Sequence, residues 1–222
     1  MDIDIIAKMA ISYVPFLFAI CFHEFSHGFV AKLRGDNTAE QMGRLTLNPF
    51  AHADMLGTVF LPLMGIYMSL TSGSSLPMFG WAKPVPVNAR NLKNIRTDLF
   101  WIALAGPASN ILLALVGTAI VYVAARFGVF GDYTNGVFFF MRSFIGTNLI
   151  LAFFNIIPLH PLDGGKVLAR FLPTKINYKL EANQHITGFL LLFLALSGFL
   201  SFFFIPAQML YMYLIRLAVG GA

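Results

Sequence analysis

Long apolar runs separated by short polar connections make up most of this sequence. Apolar side chains dominate residues 5–33, 99–125, 137–157 and 186–217, and the last run is interrupted at Pro206. A helix needs about 20 apolar residues to cross the hydrocarbon core of a bilayer, so each run is long enough. The pattern therefore predicts membrane-spanning helices joined by polar loops, with one span and a tail helix or two spans at the C-terminal end.

Two polar stretches carry a different pattern. Residues 44–47 alternate between polar and apolar side chains, as in a short strand. Residues 83–88 contain Pro84 and Pro86, which lack the N–H that a central strand donates, so this stretch fits an exposed edge or a loop. We therefore expect short membrane-associated β strands beside the helices, with 44–48 and 83–88 as candidate edges.

Composition places most of the protein inside the bilayer. Hydrophobic residues make up 58% of the chain and charged residues 11%, whereas soluble domains have roughly 25% charged residues. The 222 residues leave room for about four to six spans. We therefore expect an all-α polytopic membrane protein. Asp2 and Asp4 stand where a cleavable signal has basic residues, so we expect no cleavage there.

The apolar segment 55–70 is broken by Gly57, Pro62 and Gly65, and the basic residues indicate how it lies in the membrane. Eleven of the 15 Lys and Arg residues fall in three connections. Basic loops favour the cytoplasmic side, and all three connections lie there only if this segment enters and leaves on one side. We therefore predict a re-entrant segment over residues 50–80. The eleven residues are Lys32, Arg34, Arg44, Lys83, Arg90, Lys93, Arg96, Lys166, Arg170, Lys175 and Lys179.

Net charge and cysteine content limit the function classes. The formal net charge of +5 is accounted for by basic loops beside anionic lipid headgroups. We therefore expect the lipid bilayer as a partner and no nucleic acid. The single cysteine, Cys21, excludes an internal disulfide and a thiolate metal cluster.

The pentapeptide His23-Glu24-Phe25-Ser26-His27 lies in the first apolar run. On a helix, H-E-x-x-H places two imidazoles one turn apart as a metal clamp, and the glutamate can activate a metal-bound water. Three ionisable side chains at membrane depth carry a large desolvation cost, which a buried metal would offset. We therefore expect a metal site at His23 and His27.

A catalytic zinc usually has three protein ligands, and the setting of Asp163 favours it as the third. Two prolines end the helix after residue 157, and a glycine pair follows the carboxylate. Irregular backbone of this kind at membrane depth must line a cavity or be covered by protein. The crossings 99–125 and 137–157 return the chain to the side of the histidines. The other candidate ligands are Glu40, His52, Asp54, Asp98, Asp132, His160, Glu181 and His185.

Several motifs taken together resemble the site-2 proteases, a family of intramembrane zinc metalloproteases. HEFSH at 23–27 and N-x-x-P-x-x-P-L-D-G at 155–164 occur in the family's order, in two different spans. G-P-x-x-N at 106–110 resembles a third family element. The stretches 48–54 and 79–88 are similar to the short bacterial and archaeal branch. The resemblance covers about residues 10–175.

The resemblance implies an intramembrane zinc endopeptidase in the cytoplasmic membrane of a bacterium or archaeon. One Zn²⁺ would be held by His23, His27 and Asp163, with Glu24 as the general base and Asn155 helping to hold the developing oxyanion. The substrates would be single-span membrane proteins, cut in or near the transmembrane segment. An extended substrate peptide would pair with one of the two candidate edges.

We expect a single domain over residues 1–222, with a catalytic core over about 10–175 and C-terminal helices over about 184–218. The chain has no stretch long enough for a PDZ or CBS domain. His52 and Asp54 are expected to cap or anchor the re-entrant segment, and His160 to lie near the site without binding metal. We expect Gly106 to serve helix packing and Asn110 to bond the re-entrant backbone.

Two alternative functions make different demands on the sequence. An ion-coupled transporter would use the buried His and Asp residues as a cation pathway, and it predicts internal repeats, which the sequence lacks. A catalytically inactive relative acting as a membrane binding partner predicts a broken catalytic set. All residues of the set are present.

Overall fold

A computed structural model describes residues 3–72, 80–131 and 133–220. The regular structure in these ranges is helical. The α-helices are α1 (Ile3–Leu33), α2 (Thr38–Gln41), α3 (Leu61–Ser72), α4 (Ile95–Arg126), α5 (Gly136–Asn155), α6 (Asp163–Ala169), α7 (Thr174–Ala182), α8 (Gln184–Leu196) and α9 (Ile205–Val219). A π-helical turn (Met55–Phe60) leads into α3, and short 3-10 turns occupy Pro49–Ala51, Ala89–Asn91 and Phe199–Phe204.

Within the described residues, five helical segments are long and apolar enough to cross a membrane. They are Asp4–Leu33, Met55–Ser72, Ile95–Arg126, Gly136–Asn155 and Phe199–Val219. This confirms the prediction of an all-α polytopic protein. At the C-terminal end the break falls at Gly198, whose φ of +75° is one that glycine adopts at little cost. Pro206 lies in the first turn of α9, where a missing N–H is tolerated.

Three helices form the centre of the molecule. α1, α4 and α5 pack against one another, α9 packs on α4 and α5, and the short α6 packs on α4. Gly117, which has no side chain, and the small Ala114 on α4 let α5 come close, with Ile145 and Leu149 filling the interface. Because α6 packs on α4 and its first residue, Asp163, contacts α1, the start of α6 lies against this centre.

The predicted β strands at 44–48 and 83–88 are wrong, because the described residues contain no strand. A ladder requires successive backbone groups to pair with one neighbouring strand. Here the N–H of Arg44 bonds the carbonyl of Ala39, and the N–H of Lys83 bonds the carbonyl of His52. Pro84 and Pro86 have no N–H to offer, so the backbone bonds of both stretches go to scattered partners.

Residues that follow the Met55–Ser72 helix hydrogen-bond to its first turn and to the residues just before it. The N–H of Trp81 donates to the carbonyl of Gly57 at 3.0 Å, and the N–H of Lys83 donates to that of His52 at 2.9 Å. The Thr58 hydroxyl donates to the carbonyl of Trp81 at 2.7 Å. Residues 81–83 therefore lie at the same level as residues 52–58. Residues 73–79, within the predicted re-entrant segment, lie outside the described residues.

Asp54 begins this helix, as expected. Its Oδ1 accepts hydrogen bonds from the N–H groups of Leu56 at 3.0 Å and Gly57 at 2.7 Å. His52 anchors the preceding turn: it is 1% exposed, and its Nε2 lies 2.8 Å from the carbonyl oxygen of Thr46. Both residues therefore hold the segment in place and lie outside the candidate site.

Candidate active site

The two histidines of the H-E-x-x-H motif lie one turn apart on α1 and face the bundle. Their rings meet edge to face with centroids 4.6 Å apart, and both side chains are buried. The helix is continuous through the motif, so the spacing of four residues places both rings on one face, as predicted.

Asp163 reaches both histidines. Its Oδ2 lies 3.0 Å from Nε2 of His23 and 3.2 Å from Nε2 of His27, and the residue is buried. The glycine after it is required by this placement, because a Cβ on Gly164 would lie 2.2 Å from the carbonyl oxygen of Ile156. The sequence argument from the glycine pair therefore agrees with the observed position of Asp163.

The other ring nitrogen of each histidine has a fixed acceptor on α4. Nδ1 of His23 lies 2.6 Å from Oδ1 of Asn110, and Nδ1 of His27 lies 2.7 Å from the carbonyl oxygen of Ile102. Both oxygens are acceptors, so each Nδ1 carries the proton and donates it. Each Nε2 is then left with a lone pair directed at Asp163, which is the tautomer that binds a metal.

Asn110 does not bond the re-entrant backbone, so that prediction is wrong. Its amide nitrogen donates to the carbonyl of Ala19 at 3.0 Å and to Oδ1 of Asn148 at 2.9 Å, and its oxygen accepts from His23. Asn110 and Asn148 are fully buried. The polar groups of α1, α4 and α5 satisfy one another at this depth, which leaves no donor for a loop.

Gly106 leaves room for the imidazoles. A Cβ at this position would lie 2.5 Å from Nε2 of His23 and 2.6 Å from Cε1 of His27. The sequence correctly indicated a packing role for Gly106, but it gave no sign that the packing partners are the two histidines.

Glu24 projects into a cavity beside the histidines. The cavity has a volume of about 400 Å³, and its walls include Glu24, Asn155, Asp163 and Lys166. Possible ligand atoms of His23, Glu24 and His27 lie within 4.8 Å of one another. One carboxylate oxygen of Glu24, Oε2, accepts the backbone N–H of Val85 at 2.8 Å. Residues from the stretch 83–88, which the sequence indicated as a candidate edge, therefore lie in the wall of the site.

Asn155 lies in the wall of this cavity at the end of α5, with its amide nitrogen donating to the carbonyl of Leu151 at 3.0 Å. Sequence reasoning missed Lys166, whose Nζ lies 3.8 Å from Oδ1 of Asp163. A lysine three residues after the carboxylate, on the same helix face, is the signal that could have found it.

The remaining candidate ligands have other surroundings. Asp98 caps α4 by accepting the N–H of Asn94, Glu40 pairs with Lys32, and His185 and Glu181 are exposed. His160 is buried near the site, and its carbonyl accepts the Thr187 hydroxyl. Asp132 lies outside the described residues. Among the described candidates, only the Asp163 carboxylate contacts both imidazoles.

The donor set suits zinc. Two imidazole nitrogens and one carboxylate oxygen are a common ligand set for catalytic zinc. Ligands at about 2.0–2.1 Å from a tetrahedral ion are separated from each other by roughly 3.3 Å. The separations of 3.0 and 3.2 Å between the imidazole nitrogens and the carboxylate oxygen are close to this spacing.

Comparison with known proteins gives a consistent picture. The model of peptidase family M50 matches residues 11–134 and 131–197. The chain is 33% identical over 189 residues to the protein named "Putative zinc metalloprotease YwhC" of Bacillus subtilis (strain 168), covering 83% of this chain and 80% of that one. No solved structure matches.

Two mycobacterial proteins named Rip2, with the same description, are also similar. The one from Mycolicibacterium smegmatis is 32% identical over 67% of this chain and 52% of its own length. The one from Mycobacterium tuberculosis H37Rv is 31% identical over 81% of this chain and 64% of its own length. The family model covers both the HEFSH motif and the Asp163 motif. This chain therefore belongs to peptidase family M50, the site-2 protease family, and is a multi-pass membrane metalloprotease that uses Zn²⁺.

Proposed function

We propose that this protein is an endopeptidase that hydrolyses peptide bonds in or near the transmembrane segments of single-span membrane proteins. The observation that carries the proposal is the approach of Asp163 Oδ2 to both imidazoles, at 3.0 and 3.2 Å, with Glu24 in the adjoining cavity. These groups lie among helices long enough to span a bilayer, so a substrate would meet them at membrane depth.

His23, His27 and Asp163 would hold one zinc ion per chain. A bound zinc polarises the scissile carbonyl and lowers the pKa of its water to about 7. The hydrogen bonds of the two Nδ1 atoms to Asn110 and to the carbonyl of Ile102 fix the ring orientations that this ligation requires.

Glu24 would act as the general base. Its Oε1 accepts the proton of the water that attacks the carbonyl carbon, while Oε2 stays on the Val85 N–H. As the C–N bond breaks, the carboxyl group passes that proton to the leaving amine. The second N–H of the Asn155 amide is available to donate to the developing oxyanion, and one such donor contributes about 3–4 kcal/mol in other hydrolases.

The topology we propose is re-entrant over residues 50–80, with the site near the cytoplasmic side of the cytoplasmic membrane. The hydrogen bonds from Trp81 to Gly57 and from Lys83 to His52 support this, as does the distribution of basic residues. We propose a single domain over residues 1–222, with its catalytic core over about 10–175.

The function is tested by reconstituting purified protein with a single-span substrate and measuring cleavage products and zinc content. Glu24→Gln should keep zinc and lose cleavage, because the change preserves shape and removes the base. Asp163→Ala should lose zinc and cleavage, while Glu40→Ala, at an exposed pair with Lys32, should behave as wild type. A wild-type protein that yields no fragments would contradict the proposed activity, and equal fragment yields from wild type and Glu24→Gln would contradict the role of Glu24 as the base.

The two alternatives give other results in the same assay. An inactive binding partner would leave the substrate intact with wild-type protein. A transporter would move ions across the vesicle membrane, and Glu24→Gln would change that flux without any fragment appearing.

A further inference from the structure

Glu24 is held by the backbone of a distant part of the chain. Its Oε2 accepts the N–H of Val85 at 2.8 Å, across 61 residues of sequence. Val85 is buried and lies in the wall of the same cavity as Glu24. We call residues 83–88 the Pro-Val-Pro segment.

The two prolines make Val85 the sole N–H donor between Lys83 and Val87. Pro84 and Pro86 have no N–H. The two end residues of the segment bond inside the protein: the N–H of Lys83 donates to the carbonyl of His52 at 2.9 Å, and the N–H of Asn88 donates to Asp36 at 2.7 Å. The segment is thus fixed at both ends, and its one central donor points at Glu24.

Two carbonyls at the start of the segment are also engaged. The Arg44 guanidinium donates to the carbonyl of Lys83 at 2.7 Å and to that of Pro84 at 3.3 Å. An edge that binds an extended peptide must leave its donors and acceptors free. The N–H groups of Lys83 and Val85 and the carbonyls of Lys83 and Pro84 are occupied by the protein itself, so these four groups are not open to an added strand.

Gly28 allows the segment to lie against α1. It follows Glu24 by one helical turn and therefore shares its face. A Cβ at position 28 would lie 3.1 Å from Cγ1 of Val85 and 3.3 Å from the Cβ of Ala39, which is tighter than ordinary contact. Glycine here brings the Val85 backbone within hydrogen-bonding distance of the Glu24 carboxylate.

We propose that the Val85 N–H is a positioning donor for the general base of this enzyme. The proposal rests on the function proposed above for Glu24. A glutamate side chain has several rotatable bonds and samples many orientations when free. A hydrogen bond to an ionised oxygen is short and strong, so it fixes Oε2 and leaves Oε1 facing the cavity. The Pro-Val-Pro segment thereby orients the base.

The test removes this one N–H and keeps a residue of similar size. Val85→Pro lacks the donor, whereas Val85→Ala keeps it and loses side-chain contacts. Misplacing a catalytic group by about 1 Å reduces rates roughly 100-fold. Val85→Pro should therefore lose about 100-fold in kcat with zinc content and KM near wild type, and Val85→Ala should stay within about threefold, since its donor is intact.

Two further variants keep the proposal testable if Val85→Pro misfolds. Cell-free synthesis with the α-hydroxy analogue of valine at position 85 replaces the N–H by an ester oxygen and keeps the side chain. It should reproduce the loss in kcat. Gly28→Ala should also lower kcat, because the added Cβ pushes Val85 away from α1. Gly28 is not one of the proposed zinc ligands, so zinc content should be unchanged.

The outcomes separate this proposal from the one on which it rests. If Glu24→Gln abolishes cleavage but the ester variant is fully active, the role of Val85 is overturned and the role of Glu24 stands. Faster cleavage by the ester variant would also overturn the role of Val85, since the contact would then restrain the base. Cleavage by Glu24→Gln at the wild-type rate would overturn the proposed base itself.

Discussion

Asn110 shows how much of a buried site depends on one neutral side chain. At a position that is fully buried it accepts from His23 and donates to Ala19 and Asn148. Its oxygen selects the histidine tautomer, and its nitrogen joins α1 to α5 through α4. A buried amide left without these partners would be strongly destabilising, so the network is specific as well as stabilising.

Replacing Asn110 should weaken zinc binding while leaving the three proposed ligands in place. In Asn110→Ala the ring of His23 loses its acceptor, and loss of such a partner typically lowers metal affinity 10- to 100-fold. Competition with a chromophoric chelator measures the affinity. Ser109→Ala is the matched control, because among the described residues the Ser109 hydroxyl bonds the carbonyl of Gly106, within its own helix. Equal zinc affinities in Asn110→Ala and wild type would contradict the role given to Asn110.

Residue identities at the candidate site were predictable, whereas most of their partners were not. His23, Glu24 and His27 follow from helical spacing, and Asp163 from prolines and glycines that shape its loop. The bonds of Glu24 to Val85 and of His23 to Asn110 join residues 61 and 87 positions apart. No local pattern encodes such pairs, since each depends on how whole helices and loops dock.

At the scale of elements, hydrophobic length predicted the helices but not their ends. The apolar run at 99–125 is helix α4, Ile95–Arg126, and the added first turn is polar. Asn94 accepts the N–H of Thr97 while Asp98 accepts the N–H of Asn94, which is a reciprocal cap. The strand prediction was wrong because it rested on too short a pattern. Alternation over four residues is a weak signal, and in 83–88 the prolines remove the N–H groups that a strand needs.

A second element-scale feature is the link between the α1–α2 turn and the loop before α4. Asp36 is fully buried and accepts hydrogen bonds from Thr38, Asn88 and Asn91. Burial raises the pKa of the Asp36 carboxyl, but the hydrogen bonds from Thr38, Asn91 and Asn88 outweigh it and leave the pKa below its usual range. The ionised carboxylate thus ties the Pro-Val-Pro segment to the end of α1.

Asp36→Asn should destabilise the protein by about 1–3 kcal/mol at neutral pH, because the amide faces donors with a donor of its own. Since the folded-state pKa is lowered, the stabilisation is complete above the unfolded value of about 3.9 and is lost as the pH falls below it. Thermal unfolding of zinc-free protein in detergent at pH 7 and pH 3.5 measures this. The difference in unfolding temperature between Asp36→Asn and wild type should be smaller at the lower pH. The exposed Asp4→Asn should unfold at the wild-type temperature at both pH values. A difference that becomes larger on acidification would contradict the stabilising role of the ionised Asp36 carboxylate.

At the scale of the whole molecule, the contact between Asp163 and the α1 histidines constrains the path through the membrane. α4 and α5 together bring the chain back to the side from which α4 starts. If Met55–Ser72 crossed fully, residues 41 and 93 would lie on opposite sides. The hydrogen bonds of Trp81 and Lys83 instead place the first residues of the connection to α4 beside residues 52–57.

Single cysteines in a Cys21→Ser background test this path. Gln41 and Lys93 are exposed positions on either side of the proposed re-entrant segment, and Phe127, at the far end of α4, is 80% exposed. An impermeant thiol reagent on intact cells should label Phe127→Cys alone. Gln41→Cys and Lys93→Cys should both react after permeabilisation. Labelling of only one of these two from outside would mean that the segment crosses fully.

The amide of Asn110 also has a consequence for the life of the protein in the cell. Because the same side chain holds His23 and joins three helices, metal binding and helix packing stabilise each other. A ligand that binds only the folded state raises the free energy of unfolding by an amount that grows with the logarithm of its free concentration above Kd, and a less stable membrane protein is degraded faster. Zinc starvation should therefore shorten the half-life of each copy as well as stop its chemistry, so that zinc supply sets the abundance of the enzyme.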